Sequence, residues 1–250
     1  MLEVLPLASL ANPWSLTAIL VIVFLGAIVQ FGLGMGFGLT AAPLLAIIDP
    51  ELVPAPTLFM GFMTAVIGAW RERDEIVWRE VSFGTIGRII GIIAAVIILA
   101  SLPNRNLFEL IFGLMVGLAV IFSVAGWRLP FSIFNISGMG FVSGIMGTIT
   151  SVGAPPMAIV YQNREARNAR PTLAAFFALG CALSLIGLYV SGWANEKHFL
   201  TALIMLPGVG AGYIASRYLR GAFDNRYRRY LLAITTIAAI ILVVRGLQWI

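Results

Sequence analysis

The sequence predicts an all-α membrane protein: a polytopic helix bundle of two inverted repeats, each with a glycine- and proline-broken helical hairpin followed by three transmembrane helices. Three observations lead there. The residues AVILMFWYC make up 60% of the 250 positions and charged residues 11%, against roughly 45–50% and 25% in soluble domains. Apolar runs able to cross a hydrocarbon core of about 30 Å, each needing roughly 20 helical residues, recur along the chain with short polar gaps. Two longer apolar stretches are interrupted by glycine and proline in the same pattern.

The continuous spans are Pro54 to Trp70, Val81 to Ala100, Leu107 to Gly126, Pro171 to Val190, His198 to Tyr218 and Tyr227 to Arg245. The stretches Trp14 to Ile48 and Phe131 to Tyr161 are each too long for one comfortable crossing. Their interruptions read Gly32-Leu-Gly-Met-Gly-Phe-Gly-Leu-Thr-Ala-Ala-Pro43 and Gly144-Ile-Met-Gly-Thr-Ile-Thr-Ser-Val-Gly-Ala-Pro155, glycine to Ala-Pro over one spacing. Further matches follow in order: Pro56-Thr57-Leu58 with Pro171-Thr172-Leu173, Gly87 and Gly91 with Gly208 and Gly212, and Asn104-Arg105 with Asn225-Arg226. Residues 1–130 and 131–250 are therefore read as two transmembrane repeats of one integral membrane domain.

Cytoplasmic loops are enriched in Lys and Arg, and this decides how the broken segments run. If each returns to its starting side, the arginines of 71–79, 164–170 and 217–229, with Arg128, all face the cytoplasm. Only Arg105, Lys197 and Arg245 then lie outside. A single crossing by each would move eight of those arginines out. The hairpin reading gives each half a hairpin plus three crossings, an odd number, so the second half is inverted and both termini lie outside. Met1 to Asn12 carries Glu3 and no basic residue, the wrong start for a cleaved signal, so the first helix is expected to stay.

The net charge of +5 does not indicate nucleic acid, because the arginines sit in interhelical loops rather than on one amphipathic face. Cys181 is alone and apolar in context, which reads as packing and excludes an intramolecular disulfide. No cofactor and no metal site is expected. His198, the sole histidine, starts a helix beside Lys197 and reads as interfacial.

Backbone groups cannot stay unpaired in hydrocarbon, so a glycine-rich break at membrane depth needs protein or a water-filled cavity around it. Paired half-helix N-termini near the midplane would attract anions through free N–H groups and the positive dipole end. The half-helices would be Leu39 to Ile48 and Pro155 to Tyr161, each carrying the proline of its break, Pro43 or Pro155. Gly34, Gly36 and Gly38 in the first break, and Gly147 and Gly153 in the second, allow close backbone approach. The hydroxyls of Thr40, Thr148, Thr150 and Ser151 would add donors without fixed charge. The competing readings are that the glycines serve helix packing and that the hydroxyls bond back to their own helices.

At these residues the sequence resembles the sulfite exporter TauE/SafE family, also called the 4-toluene sulfonate uptake permease family. The resemblance rests on the two broken segments, the eight-segment hydropathy and the length, and it spans nearly the whole chain. It implies secondary transport of small anions, chiefly sulfite, sulfonates and related oxyanions, without selecting one. The second break carries Met146, Thr148 and Thr150 where the first has Gly34, Gly36 and Gly38, which makes the halves unequal partners in a site.

Two charges inside predicted helices bear on a solute path, Arg88 and Glu109. Arg88 lies about two turns into its span, where a cation snorkels to the headgroups or pairs with an anion in a cavity; snorkelling is the favoured reading. Glu109 is a proton-coupling group or an interfacial charge, the latter favoured. Asp49 and Glu51 mark an outer vestibule. The expected function is alternating-access transport of a small anion across the inner membrane, in contact with lipid and with proton, sodium or no coupling ion. A passive channel, an intramembrane enzyme and an assembly factor are the alternatives; the absence of a base or metal cluster near a buried serine argues against the enzyme.

Overall fold

The computed structural model describes residues 8–102, 105–127, 129–218 and 225–247, and among these there is no strand. Asn104, Arg128, Arg220 and both chain ends lie outside the described residues, as do the side chains of Arg105, Asn225, Arg226, Arg228 and Arg229.

A short helix α1, Ala8–Ala11, leads into α2, Pro13–Leu33. Asn12 caps α2 by accepting from Trp14 N at 3.0 Å, and Pro13 occupies the first turn, where its missing N–H costs nothing. After a break comes α3, Phe37–Ile48, and after a 3₁₀ turn at Pro50–Leu52 come α4, Ala55–Arg71, α5, Trp78–Ala100, and α6, Arg105–Val124. The second series is α7, Ile133–Thr150, a break, α8, Ala154–Tyr161, then α9, Ala166–Val190, α10, Glu196–Tyr218, and α11, Asn225–Leu247. Ser132 caps α7 by accepting from Asn135 N at 3.2 Å. Seven described helices are long and apolar enough to cross a membrane, with shorter apolar helices at Phe37–Ile48 and Leu232–Leu247. The chain is a multi-pass membrane protein. All six continuous spans are helices, each beginning or ending within a few residues of its predicted bounds.

The bundle is built for lipid. On α5 the outward face carries Ile86, Ile89, Ile90, Ile93 and Ile97, all exposed, while Gly84, Gly87 and Gly91 are buried. Hydrocarbon supplies no hydrophobic drive between helices, so close van der Waals packing must hold them. A methyl group on Gly87 or Gly91 would overlap the carbonyl oxygen of Ser137 or Phe141 on α7, and one on Gly140 or Gly144 would overlap that of Gly84 or Arg88 on α5. These two helices touch backbone to backbone. Gly208 and Gly212 do the same for α10, where an added methyl would lie 2.9 Å from Leu20 O and 2.7 Å from Phe24 O of α2.

Helix pairing follows a pattern. As α5 packs along α7, so α10 packs along α2; as α5 meets α9, so α10 meets α4; as α3 lies on α11, so α8 lies on α6. The pairs α4 with α9 and α6 with α11 complete the bundle.

Gly87→Leu is expected to destabilise the protein by on the order of 3 kcal/mol or more, because backbone cannot yield as a side chain does. Gly138→Leu, on an α7 face with nothing within 4 Å of the added carbon, is expected to change the unfolding midpoint little. Unfolding followed by detergent size-exclusion chromatography compares the two; equal midpoints would contradict the backbone contact.

Candidate solute site at the two helix breaks

The first break is made by Gly34 and Gly36, both left-handed, at φ 77° and 111°, a conformation that a Cβ disfavours. Helix ends leave N–H and C=O groups without intrahelical partners, and here one side chain serves both ends. The Gln30 amide donates to Gly34 O at 3.4 Å and its oxygen accepts from Phe37 N at 3.0 Å. That second bond starts α3 at Phe37, two residues before the predicted Leu39. Thr40 Oγ1 donates to Gly36 O at 2.9 Å. Pro43 lies inside α3 and cannot donate to Leu39 O; Thr235 of α11 supplies that bond at 3.1 Å.

In the second break α7 ends at Ser151, a left-handed residue at φ 62° whose N–H is given to Gly147 O at 2.9 Å. Its hydroxyl donates to Pro54 O at 3.0 Å. Thr150 Oγ1 donates to Met146 O at 2.6 Å and accepts from Val152 N at 3.1 Å. The chain then folds back on α7, where Ser143 Oγ donates to Gly153 O at 2.7 Å. Thr148 Oγ1 pairs with Ser184 Oγ of α9 at 2.8 Å. The second half-helix starts at Ala154, and Pro155 and Pro156 remove two N–H groups from its first turn. Among its first four residues only Ala154 and Met157 keep a donor.

The two breaks touch. Gly38 presses against the Ser151 carbonyl so closely that any Cβ there would overlap it. The predicted hydroxyl donors are each engaged within the protein: Thr40 and Thr150 bond back to their own helices, while Thr148 and Ser151 tie the second break to α9 and to the residue before α4. Thr40, Thr150 and Ser151 give their protons to backbone carbonyls, and in the Thr148–Ser184 pair either hydroxyl can be the donor.

Arg88 requires a correction. It is the eleventh of the 23 residues of α5, about 15 Å from the nearer helix end, and is 1% exposed. It does not snorkel. Its guanidinium lies against the second break, with Nη1 3.3 Å from Ser143 Oγ and Nη2 3.1 Å from where a Gly147 Cβ would sit. The rings of Phe176 and Phe177 flank it at 4.9 and 5.5 Å from their centroids, and a side chain on Gly180 would occupy its place. Glu109, by contrast, is half-buried near the start of α6. It is about 20 Å along the helix from Phe122, where α6 reaches the cavity described next.

A cavity of about 630 Å³ opens beside the breaks. Met35, Gly36 and Leu39 line it from the first break and Ala154, Pro155 and Ala158 from the second half-helix, with Arg164 and Arg170 among its walls. Arg170 packs over Gly34. Around this end, ion pairs tie α9 and its preceding loop to the α4–α5 region: Arg164 to Glu80 at 2.9 Å, Arg170 to Glu72 at 3.7 Å, and Arg167 to Glu75. At the opposite end Lys197 meets Glu51 at 3.7 Å, and Asp49 caps its own 3₁₀ turn through Glu51 N. His198 lies there too, its ring Nδ1 beside Asn195.

Of the predicted site residues, Gly36 and Pro155 line the cavity, Gly38 and Ser151 join the breaks, and Gly147 and Gly153 surround Arg88 and Ser143. Sequence reading overlooked Gln30, Ser143 and Ser184. Gln30 was findable as the only amide or charged side chain between Trp14 and Ile48; the two serines carry no such signal.

A family model described as sulfite exporter TauE/SafE matches residues 18–243, including every residue of both breaks. No curated protein and no solved structure matches the chain. With broken helices, lipid-facing surface and matched residues coinciding over most of its length, the chain belongs to the sulfite exporter TauE/SafE family.

Proposed function

We propose that this protein is a secondary transporter that moves a small, sulfur-containing anion such as sulfite or a sulfonate across the inner membrane by alternating access. The observation that carries this reading is that two helix breaks, distant in sequence, touch each other and border one cavity. Interrupted helices survive in lipid only where protein or a water-filled space receives their backbone groups, and in carriers built of inverted repeats paired breaks form the solute site about which the halves rock.

In this reading residues 1–130 and 131–250 are repeats of opposite orientation, as the exchange of helix pairings between the halves supports. The arginine-rich end with Arg164 and Arg170 faces the cytoplasm, both termini lie outside, and the cavity is the inward-open form of the site. Gly34, Gly36 and Gly38 with Gly147 and Gly153 let the breaks approach the solute and each other. Proton or sodium gradients are the candidate driving forces. A passive channel would conduct without saturation or counterflow.

Three outcomes are expected. Proteoliposomes should take up one of a panel of sulfite, thiosulfate, sulfonates, sulfate and carboxylates with saturation and counterflow; linear flux without counterflow would favour a channel. Gly36→Val, at a positive φ with Val29 3.1 Å from the added carbon, and Gly153→Val, 2.9 Å from Ser143 Oγ, should each lower flux more than tenfold while folded protein remains in the membrane. Normal flux in both would remove the breaks from the site. Arg167→Cys in a Cys181→Ala background should react with an impermeant maleimide only from the cytoplasmic side; labelling of intact cells from outside would reverse the orientation.

A further inference from the structure

We propose that Arg88 is the anion-binding cation of the second break, and that because the cavity-wall cations Arg164 and Arg170 are already paired with Glu80 and Glu72 the site takes a monovalent oxyanion in preference to a divalent one. The inference rests on the transport reading above and specifies the charge of its substrate. Arg88 is 1% exposed in the middle of α5, and no carboxylate is among the described groups around it. Its described neighbours are Ser143, Cys181, Phe176, Phe177, Gly147 and Gly180. Nε has no hydrogen-bond partner among the described residues.

A buried arginine ordinarily meets a carboxylate or several carbonyls, because its charge is costly in a low-dielectric interior. Two ring faces, one hydroxyl and the adjacent Cys181 thiol supply part of that compensation, and the Nε donor remains unused. The glycines make room for the guanidinium itself: a side chain at Gly180 would displace it, and one at Gly147 would crowd it. The same Ser143 hydroxyl that meets Arg88 holds Gly153 O, the residue before Ala154 of the cavity wall. Arg88 is thus one hydroxyl behind the cavity wall, in contact with the second break. An oxyanion arriving there would take the planar N–H fork that guanidinium offers.

One cation neutralises one negative charge. A monoanion leaves the occupied site neutral, whereas a dianion leaves a net negative charge in the same apolar surroundings. The equivalent stretch of α10, where Gly208 and Gly212 pack as Gly87 and Gly91 do, has Val209 beside its first glycine and brings no second cation.

Methanesulfonate and sulfate are both tetrahedral at sulfur and differ by one charge, so they test the assignment directly in purified full-length protein at constant ionic strength. Methanesulfonate should raise the unfolding midpoint of the wild type saturably, and sulfate should need at least a tenfold higher concentration. Arg88→Met should lose the saturable response with no fall in its ligand-free midpoint, since an uncompensated charge has been removed. Arg88→Lys should respond only at raised concentration. An unchanged response in Arg88→Met, or a ligand-free midpoint that collapses while binding persists, would make Arg88 a structural clamp and overturn the proposal. If Arg88→Met does not fold, calorimetric titration of the wild type decides. One methanesulfonate site per chain with sulfate at least tenfold weaker supports the assignment, and equal or stronger sulfate, or no saturable site, overturns it. Saturable anion flux unaltered in Arg88→Met would reject this inference and leave the transporter reading standing, whereas absence of saturable flux for every anion in the wild type would reject that reading itself.

Discussion

The pairing of every backbone polar group inside hydrocarbon is the constraint on which this structure depends. An unbroken helix meets it internally; a broken one must recruit partners, and each partner fixes a neighbour. At the first break Gln30 serves both chain ends and Thr235 replaces the bond that Pro43 cannot make. At the second, Ser143 holds Gly153 and Ser151 holds Pro54. These bonds bind α3 to α11 and the turn of α7–α8 to the segment before α4. The breaks become the joints of the bundle, and the glycines that let Gly38 meet Ser151 bring the joints together.

The two joints are unlike in chemistry. The first is closed by a neutral amide that uses both its donor and its acceptor on backbone, and it carries no charged side chain of its own. The second has lost two N–H groups to Pro155 and Pro156 but has a guanidinium at its back. In the proposed site, backbone donors on one side and a fixed cation on the other divide between the halves what a symmetric site would duplicate. The substitution of Met146, Thr148 and Thr150 for the glycines of the first break is the sequence trace of that division.

Much of the fold was legible because lipid imposes a length. Six continuous helices and both breaks follow from apolar runs and from glycine and proline placement. The half-helix starts shifted for local reasons: Gln30 captures Phe37 N, a contact seven residues apart with no sequence signature, and Ala154 precedes the proline that had marked the start. Arg88 was misplaced because hydropathy began its span at Val81. The helix begins at Trp78, with Arg79 and Glu80 in its first turn, which moves Arg88 from near an edge to the centre. The threonine hydroxyls followed a general habit, bonding a carbonyl four residues back when nothing stronger is offered, and only three-dimensional neighbours distinguish Thr40 and Thr150 from Thr148. The contact of Gly38 with Ser151 joins residues 113 positions apart in sequence and could be suspected only from the matching breaks.

The account places an anion where the joints meet, and locating an anion there tests it most directly. Crystals grown with bromide as the only halide, measured at the bromine absorption edge, would show where a small monovalent anion resides regardless of hydrogen-bond preference. The account predicts an anomalous peak bounded by Arg88, Ser143 and Gly153. Bromide found only at the arginines of the loops, with none beside either break, would contradict it.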